Sequence, residues 1–297
     1  MNSIQLLIQE ICEEEHIHFQ LLSKDWIIVL EKDGETHYIM GSKFDLNNYV
    51  SAKICNDKYA CYEALKYHHI PVCEYHIFFS CYSKEEVTNC FLEYGRDVVV
   101  KANKGSYGNH MFHVKDINEL FQKMDLLLKD NYSISVSPFY SISCEYRLIV
   151  LNHEVELVFG KKRPIVVGDG VHTIYELLLE FNSPFFQKME DHSSLDVILK
   201  EGEVYEYSWQ HNLSKGAIPF EVNDEELIEK LKKIAIQATN SLNLNFVSVD
   251  IIETATHELK IIEINSGVIT NIAEYFVNGE EIAKNVYKKA ILAMFEK

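Results

Sequence analysis

Long apolar runs are missing from this 297-residue sequence: the longest, such as 26–30 and 98–100, are strand-sized and far below the roughly 20 residues that span a bilayer. Nothing is therefore expected to cross a membrane. The first residues also lack a basic patch followed by an apolar stretch and a small-residue cleavage site, so no secretory signal is expected and the cytosol is the expected compartment. Basic charge is scarce, with 28 Lys and Arg against 45 Asp and Glu. The resulting net charge of −17 repels a phosphate backbone, and no local basic patch overrides it, which argues against a nucleic-acid partner. The seven cysteines (12, 55, 61, 73, 81, 90 and 144) contain no C-x-x-C pair and sit mostly in apolar patterns, as reduced core thiols do. Glycine (12) and proline (5) are few and cluster at 160–170 and 202–219, which marks irregular or functional loops rather than linkers. There is no internal repeat and no low-complexity tract.

What is present is a core's worth of apolar residues, 47% of the chain, enough for one large domain or two to three small ones sharing a core. Periodicity predicts an amphipathic helix through Ile4, Leu7, Ile8 and Ile11, then a hairpin of 26–30 and 38–40 turning at Lys32-Asp33-Gly34. Residues 1–50 thus read as a small leading α+β unit. Helices are expected over 56–67, 87–94 and 117–129, with strands at 98–101 and 134–136. A hairpin of 145–151 and 154–159 follows, then a helix over 173–181. The last third repeats the habit: a helix over 224–242, strands over 246–252 and 259–264, and a closing amphipathic helix over 280–295.

Three segments carry chemistry. In the first, a buried strand ends at Lys101 and runs into Asn103-Lys104-Gly105-Ser106-Tyr107-Gly108. A glycine loop can bring backbone N–H groups against phosphate oxygens while the lysine supplies a point charge, although a strand followed by a glycine turn also occurs in any α/β protein. In the second, Asp250 lies in one apolar strand, and Glu263 and Asn265, two apart and so on one face, lie in the next. Three oxygen ligands on neighbouring strands suit Mg²⁺. A solvated sheet face is the alternative, yet it leaves the acid and amide among such apolar neighbours unexplained. In the third, Lys161-Lys162-Arg163-Pro164 precedes Gly168-Asp169-Gly170-Val171-His172-Thr173-Ile174. These cations before a glycine-rich turn could hold a transferred phosphate and a carboxylate, with Arg163 the better planar donor; a solvated basic turn before a capped helix is the plainer account.

Taken in order, these segments resemble the ATP-grasp superfamily, most closely the ligase domains of cyanophycin synthetases and fused glutathione synthetases, over about residues 50 to 297. That family's opening Asp-Lys pair is matched by Asp57-Lys58, and its Gly-Ile-Pro-Val-Pro-like turn by 69–73. Its strand lysine and glycine loop follow, then its acidic-x-Arg strand at Glu145-Tyr146-Arg147 and its Arg-Pro-to-Gly-Asp-Gly-x-His-Thr-Ile run at 163–174. Its Asn-Leu-Ser-x-Gly loop falls at 212–216, and its Asp…Glu-x-Asn trio at Asp250, Glu263 and Asn265. Gly-Asp-Gly-x-His-Thr-Ile is the most specific of these matches. The chain departs from the pattern at His110, where a further glycine is usual, at Ser137, where Glu or Gln often meets adenine, and after Asn265, where Pro-Gly is missing.

The resemblance implies an α+β ATP-grasp fold: a leading unit (1–50), a central lid (51–140) and a carboxy-terminal part with the metal site (141–297), with ATP between the lid and the α+β core. It implies that Lys58 and Lys101 bind phosphates, that Gly105, Ser106 and Gly108 cover them, and that Glu145 contacts ribose. Asp250, Glu263 and Asn265 would hold Mg²⁺, or Mn²⁺ in its place. Arg147, Arg163 and Asn212 would serve catalysis. The implied activity is ATP-dependent joining of a carboxylate to an amine through an acyl phosphate, the substrates being small molecules or peptides; homo-oligomers stay open. An ATP-dependent small-molecule kinase and a non-catalytic nucleotide-binding module are the other readings. Arg163 and the Asn212 loop favour the ligase over the kinase, and the trio disfavours the module. Cys144 and the thirteen histidines are assigned structural roles, since nothing pairs them as nucleophile and base.

Overall fold

A computed structural model describes residues 1–104, 111–269, 276 and 278–296. The expected Gly105, Ser106, Gly108 and His110 lie outside the described residues. The chain opens with α1 (Ser3–Glu14), started by a capping box in which Asn2 accepts from the Gln5 backbone and Gln5 returns a bond to Asn2. An antiparallel meander follows: β1 (His18–Leu22), β2 (Ile27–Lys32), β3 (Glu35–Met40) and β4 (Lys43–Phe44). The expected turn at Asp33-Gly34 has positive φ at both residues, 52° and 85°. That is the backbone which matches the twist of a two-residue hairpin.

Next come α2 (Tyr49–Cys55) and α3 (Lys58–Tyr67). The second starts where expected, capped by Asp57; the first escaped the periodicity reading because it is only two turns long. A second antiparallel sheet is built from β5 (His76–Phe79), β6 (Val98–Ala102), β7 (Met111–Val114) and β8 (Ser133–Pro138) in the order β5-β8-β6-β7. Helices α4 (Lys84–Glu93) and α5 (Ile117–Leu128) cover one of its faces, where Val98, Val100, Ile134 and Val136 meet Phe91, Leu120 and Met124. Alternation sends Val99, Lys101, Ser135 and Ser137 to the opposite face.

The third sheet comprises β9 (Ile142–Leu151), β10 (Glu154–Lys162), β13 (Ile218–Glu221), β14 (Phe246–Thr254) and β15 (Leu259–Asn265), in the order β13-β10-β9-β14-β15. One face carries Tyr146, Leu148, Val249, Ile251 and Ile264 onto α3 and α8 (Glu225–Ser241). The other changes character along each strand. At one end Ile149, Leu151 and Phe246 join α1, β2 and α9 (Gly279–Met294) in a core. At the other end the same face presents Glu145, Arg147, Ser248, Asp250, Glu263 and Asn265 to an open cleft.

Residues 163–217 form a satellite layer: β11 (Ile165–Val167) pairs with β12 (Val204–Glu206), and α6 (Ile174–Leu179) and α7 (Pro184–Gln187) pack with Leu195 and Leu199 beneath. All seven cysteines are free and all but Cys81 are buried, as expected of core thiols. No helix among the described residues is long and apolar enough to cross a membrane.

Candidate active site

A cleft of about 470 Å³ lies between the second and third sheets and reaches the β3–β4 turn of the leading unit. Every sequence-predicted site residue that is described lines it: Lys58, Lys101, Glu145, Arg147, Arg163, Asn212, Asp250, Glu263 and Asn265. Six cationic side chains, these four with Lys43 and Lys161, face three carboxylates in the lining. A positive cleft in a chain of net charge −17 draws anions to one place and repels them elsewhere.

On the second-sheet wall, Asn103 explains why Lys58 and Lys101 come together. Fully buried just past β6, its Nδ2 donates to Asp57 Oδ1 (2.7 Å) and its Oδ1 accepts from the Tyr59 backbone (3.1 Å), so the first turn of α3 is tied to the end of the lysine strand. Lys101 Nζ donates to the Tyr75 hydroxyl (3.1 Å), which in turn donates to the Ile262 carbonyl of β15 (2.9 Å). Burial, and then the neighbouring Lys58 charge, lower the Lys101 pKa to about 8. Lys58 Nζ stands 3.7 Å from Glu263 Oε1.

The third-sheet wall is a charge network. Antiparallel register sets Asp250 opposite Arg147 on one side and Glu263 on the other, and sets Lys161 opposite Glu145. Arg147 clasps Asp250 with both arms, Nε to Oδ1 at 2.8 Å and Nη2 to Oδ2 at 2.7 Å. The Lys161 ammonium, 3% exposed, donates to Glu145 and to Asp250 Oδ1 (3.2 Å). Burial alone raises a carboxyl pKa, yet Arg147 and Lys161 hold Asp250 well below the usual range. Glu145 is raised, because burial outweighs what Lys161 offsets.

Lys161 was singled out in the sequence only as part of a basic cluster, and the register makes it the centre of this network. The signal was available, since strand alternation puts 161 and 163 on one face. Glu145, expected at ribose, has Lys161 as its immediate partner. Arg163 pairs with Glu206 of β12, and Asn212 Oδ1 accepts from the Ser214 backbone and hydroxyl (both 3.0 Å), capping the turn that starts the 213–215 helix. Tyr75, Trp209 and His211, absent from the sequence-based set, also shape the site.

The most specific run in the sequence builds a turn and a helix cap. Of 163–174 only Arg163 lines the cleft. Asp169 Oδ1 accepts from the backbones of Val171 (2.9 Å) and His172 (2.8 Å), and Thr173 caps α6 through a box with Glu176. A Cβ on Gly168 would lie 2.4 Å from the Lys200 carbonyl, so glycine there serves close packing.

Among the described residues no three His, Cys, Asp or Glu converge as a metal cluster. The Asp250, Glu263 and Asn265 set mixes carboxylates with an amide, and its all-oxygen chemistry fits a hard divalent cation. Among the described residues, Asp250 Oδ1 has both lone pairs engaged, whereas Oδ2 accepts only from Arg147 and keeps one.

Comparison with known proteins meets this geometry. Residues 197–289, which hold Asn212 and the Asp250–Asn265 hairpin, match the model of the RimK-like ATP-grasp domain. The bifunctional glutathione synthetase of Pasteurella multocida superposes with a TM-score of 0.58 over 96% of this chain and 43% of its own, at 18% identity. The chain has the ATP-grasp fold. A D-alanine–D-alanine ligase of Bacillus anthracis, solved with ATP, shares this ATP-grasp architecture with a TM-score of 0.54 over 84% of this chain and 67% of its own, at 15% identity. In sequence, the Listeria monocytogenes glutathione biosynthesis bifunctional protein GshAB is 26% identical over 90% of the chain, which bears out the resemblance to fused glutathione synthetases. The ATP-grasp chain spans 38% of that relative's length.

Proposed function

We propose that this protein is an ATP-dependent carboxylate–amine ligase of the cytoplasm, forming an amide through an acyl phosphate and releasing ADP and phosphate. The observation that carries the reading is the opposition of two walls. The strand lysine Lys101, half-buried and met by a phenol, faces a pre-formed Arg147–Asp250–Lys161–Glu145 network across one cleft. The first wall receives polyphosphate: Lys58 and Lys101 supply charge to its oxygens. Asp250, Glu263 and Asn265 would hold Mg²⁺, which would supply positive charge against that of the phosphates.

Within this frame a substrate carboxylate oxygen takes the γ-phosphoryl group, and the amine then attacks the acyl carbon and expels phosphate. Arg147 gives Nε and Nη2 to Asp250, which fixes its plane and leaves Nη1 to meet the charge that develops on the acyl oxygen. Arg163 offers a second planar donor at the β11 side. Lys161 holds the Glu145 and Asp250 carboxylates together, so the wall keeps its shape as charge moves.

The test uses purified protein with ATP, Mg²⁺ and a panel of carboxylic acids, with hydroxylamine in place of the amine. An acyl phosphate is trapped as a hydroxamate, detected by mass spectrometry. A stable phosphorylated product untouched by hydroxylamine would replace the ligase reading with a kinase, and ATP binding without turnover of any member would reduce it to a nucleotide-binding module.

A further inference from the structure

Among the described residues, the cleft wall contains polar atoms with no hydrogen-bond partner. Gln210 Oε1, both ring nitrogens of His211 and Ser266 Oγ are buried and unpartnered, and all three residues line the cleft. His211 is only 5% exposed. A neutral imidazole always carries one N–H donor and one bare acceptor, and burying either unpaired is destabilising. Natural folds keep few such groups, and those they keep call for a reason.

The segment around them is firmly held. The Trp209 ring packs against Phe139 and His113 with centroids 5.8 and 5.7 Å away, which anchors it to the opposite wall. The Gln210 backbone donates to Ser208 Oγ (3.1 Å), and Asn212 caps the following turn. Position is therefore fixed by the neighbours, while the Gln210 carbonyl and the His211 ring take no part in fixing it. Burial, followed by the nearby Arg163 and Lys161 charges, lowers the His211 pKa to about 4, so the ring is neutral near pH 7.

We propose that Gln210 and His211 recognise an amide group, peptide or carboxamide, carried by one of the two substrates of the ligase; the inference rests on that reading of the cleft. The match is one of donors and acceptors. Gln210 Oε1 can take an amide N–H, the imidazole N–H can give to an amide carbonyl, and Ser266 Oγ can do either. A carboxylate has no hydrogen to offer Gln210 and is better served by Arg163 or Lys161. An ammonium would meet those same two cations. Neutral groups placed beside cations thus select a neutral ligand group with both a donor and an acceptor.

The experiment first screens dipeptides and their depsipeptide counterparts, in which an ester oxygen replaces the amide N–H, as acid or amine components for ATP-dependent phosphate release. The wild type should favour the amide at least about tenfold in kcat/KM, because a site built to bond an N–H rejects the analogue lacking it. In His211→Leu and Gln210→Leu this preference should collapse with the KM for ATP within about twofold. The ligand-free His211→Leu protein should gain about 2–4 °C in Tm, since hydrocarbon replaces two orphaned nitrogens. Equal turnover of amide and ester by the wild type would overturn the proposal and leave the ligase reading standing. A fall in Tm in both variants would also overturn it, by showing that the groups serve the fold. Absence of phosphate release with every pair would overturn both readings.

Discussion

The two walls of the cleft treat the cations carried on their strands in opposite ways. On the third sheet, Arg147 and Lys161 are each met by carboxylates at hydrogen-bonding distance. On the second, Lys101 is met by the Tyr75 hydroxyl and by no carboxylate among the described residues. A paired buried cation is a structural fixture whose geometry is preserved when substrate arrives. A cation without a carboxylate carries a desolvation cost that an arriving anion can relieve, which makes it a receptor. On the proposed function, the contrast would separate holding the reaction's geometry from capturing the nucleotide.

The largest expected effect comes from breaking the paired wall. Lys161→Met leaves Glu145 and Asp250 sharing Arg147 alone in a buried setting, and unfolding in urea should show a loss of about 3–5 kcal/mol, the cost of stranding a buried partner. The matching change on the other wall should act differently. Lys101→Met should leave the empty protein at least as stable as wild type, since no ion pair is lost. Its ATP affinity by calorimetry should fall roughly 10–100-fold, as a charge-assisted contact of about 1.5–3 kcal/mol disappears. If both variants lost stability alike, the distinction between the walls would collapse.

A smaller and sharper effect is in pH. The Lys101 pKa is about 8 in the folded protein against an ordinary 10.5. Between those values the unfolded chain holds a proton that the folded chain releases, so this residue makes the empty protein more stable as pH rises from about 8 to 10.5. Nucleotide capture needs the charged form, so ATP affinity should decline as pH climbs through about 8. Calorimetry between pH 7 and 9.5 checks this decline, and Lys101→Met should flatten it.

Much of this arrangement was legible in the sequence, because strand alternation and ordered motifs report on faces and neighbours. Ile4, Leu7, Ile8 and Ile11 marked α1, and the two-residue spacing of Glu263 and Asn265 placed both on the cleft face. Register was not legible. That Lys161 lies opposite Glu145, and Asp250 opposite Arg147, depends on how distant strands pair, which local periodicity does not encode. Residues 182–210, which matched no motif, hold α7, a single 3₁₀ turn and β12, elements too short for a periodic signal. Of the two accounts open for the Gly168–Ile174 run, the hydrogen bonds fit the turn before a capped helix: Asp169 shapes the turn and Thr173 caps α6. His211 was set aside as structural for want of a nucleophile to pair with, and burial without partners is visible only in three dimensions.

The central claim, that the cleft activates a carboxylate as its phosphate, is tested most directly by oxygen tracing. An acid labelled with ¹⁸O in both carboxylate oxygens is turned over with ATP, Mg²⁺ and an amine that supports phosphate release, and the released phosphate is weighed by mass spectrometry. One carboxylate oxygen becomes the bridge to the γ-phosphorus and leaves with it when the amine attacks, so each phosphate should carry one ¹⁸O. Phosphate free of label, with amide formed, would contradict the account.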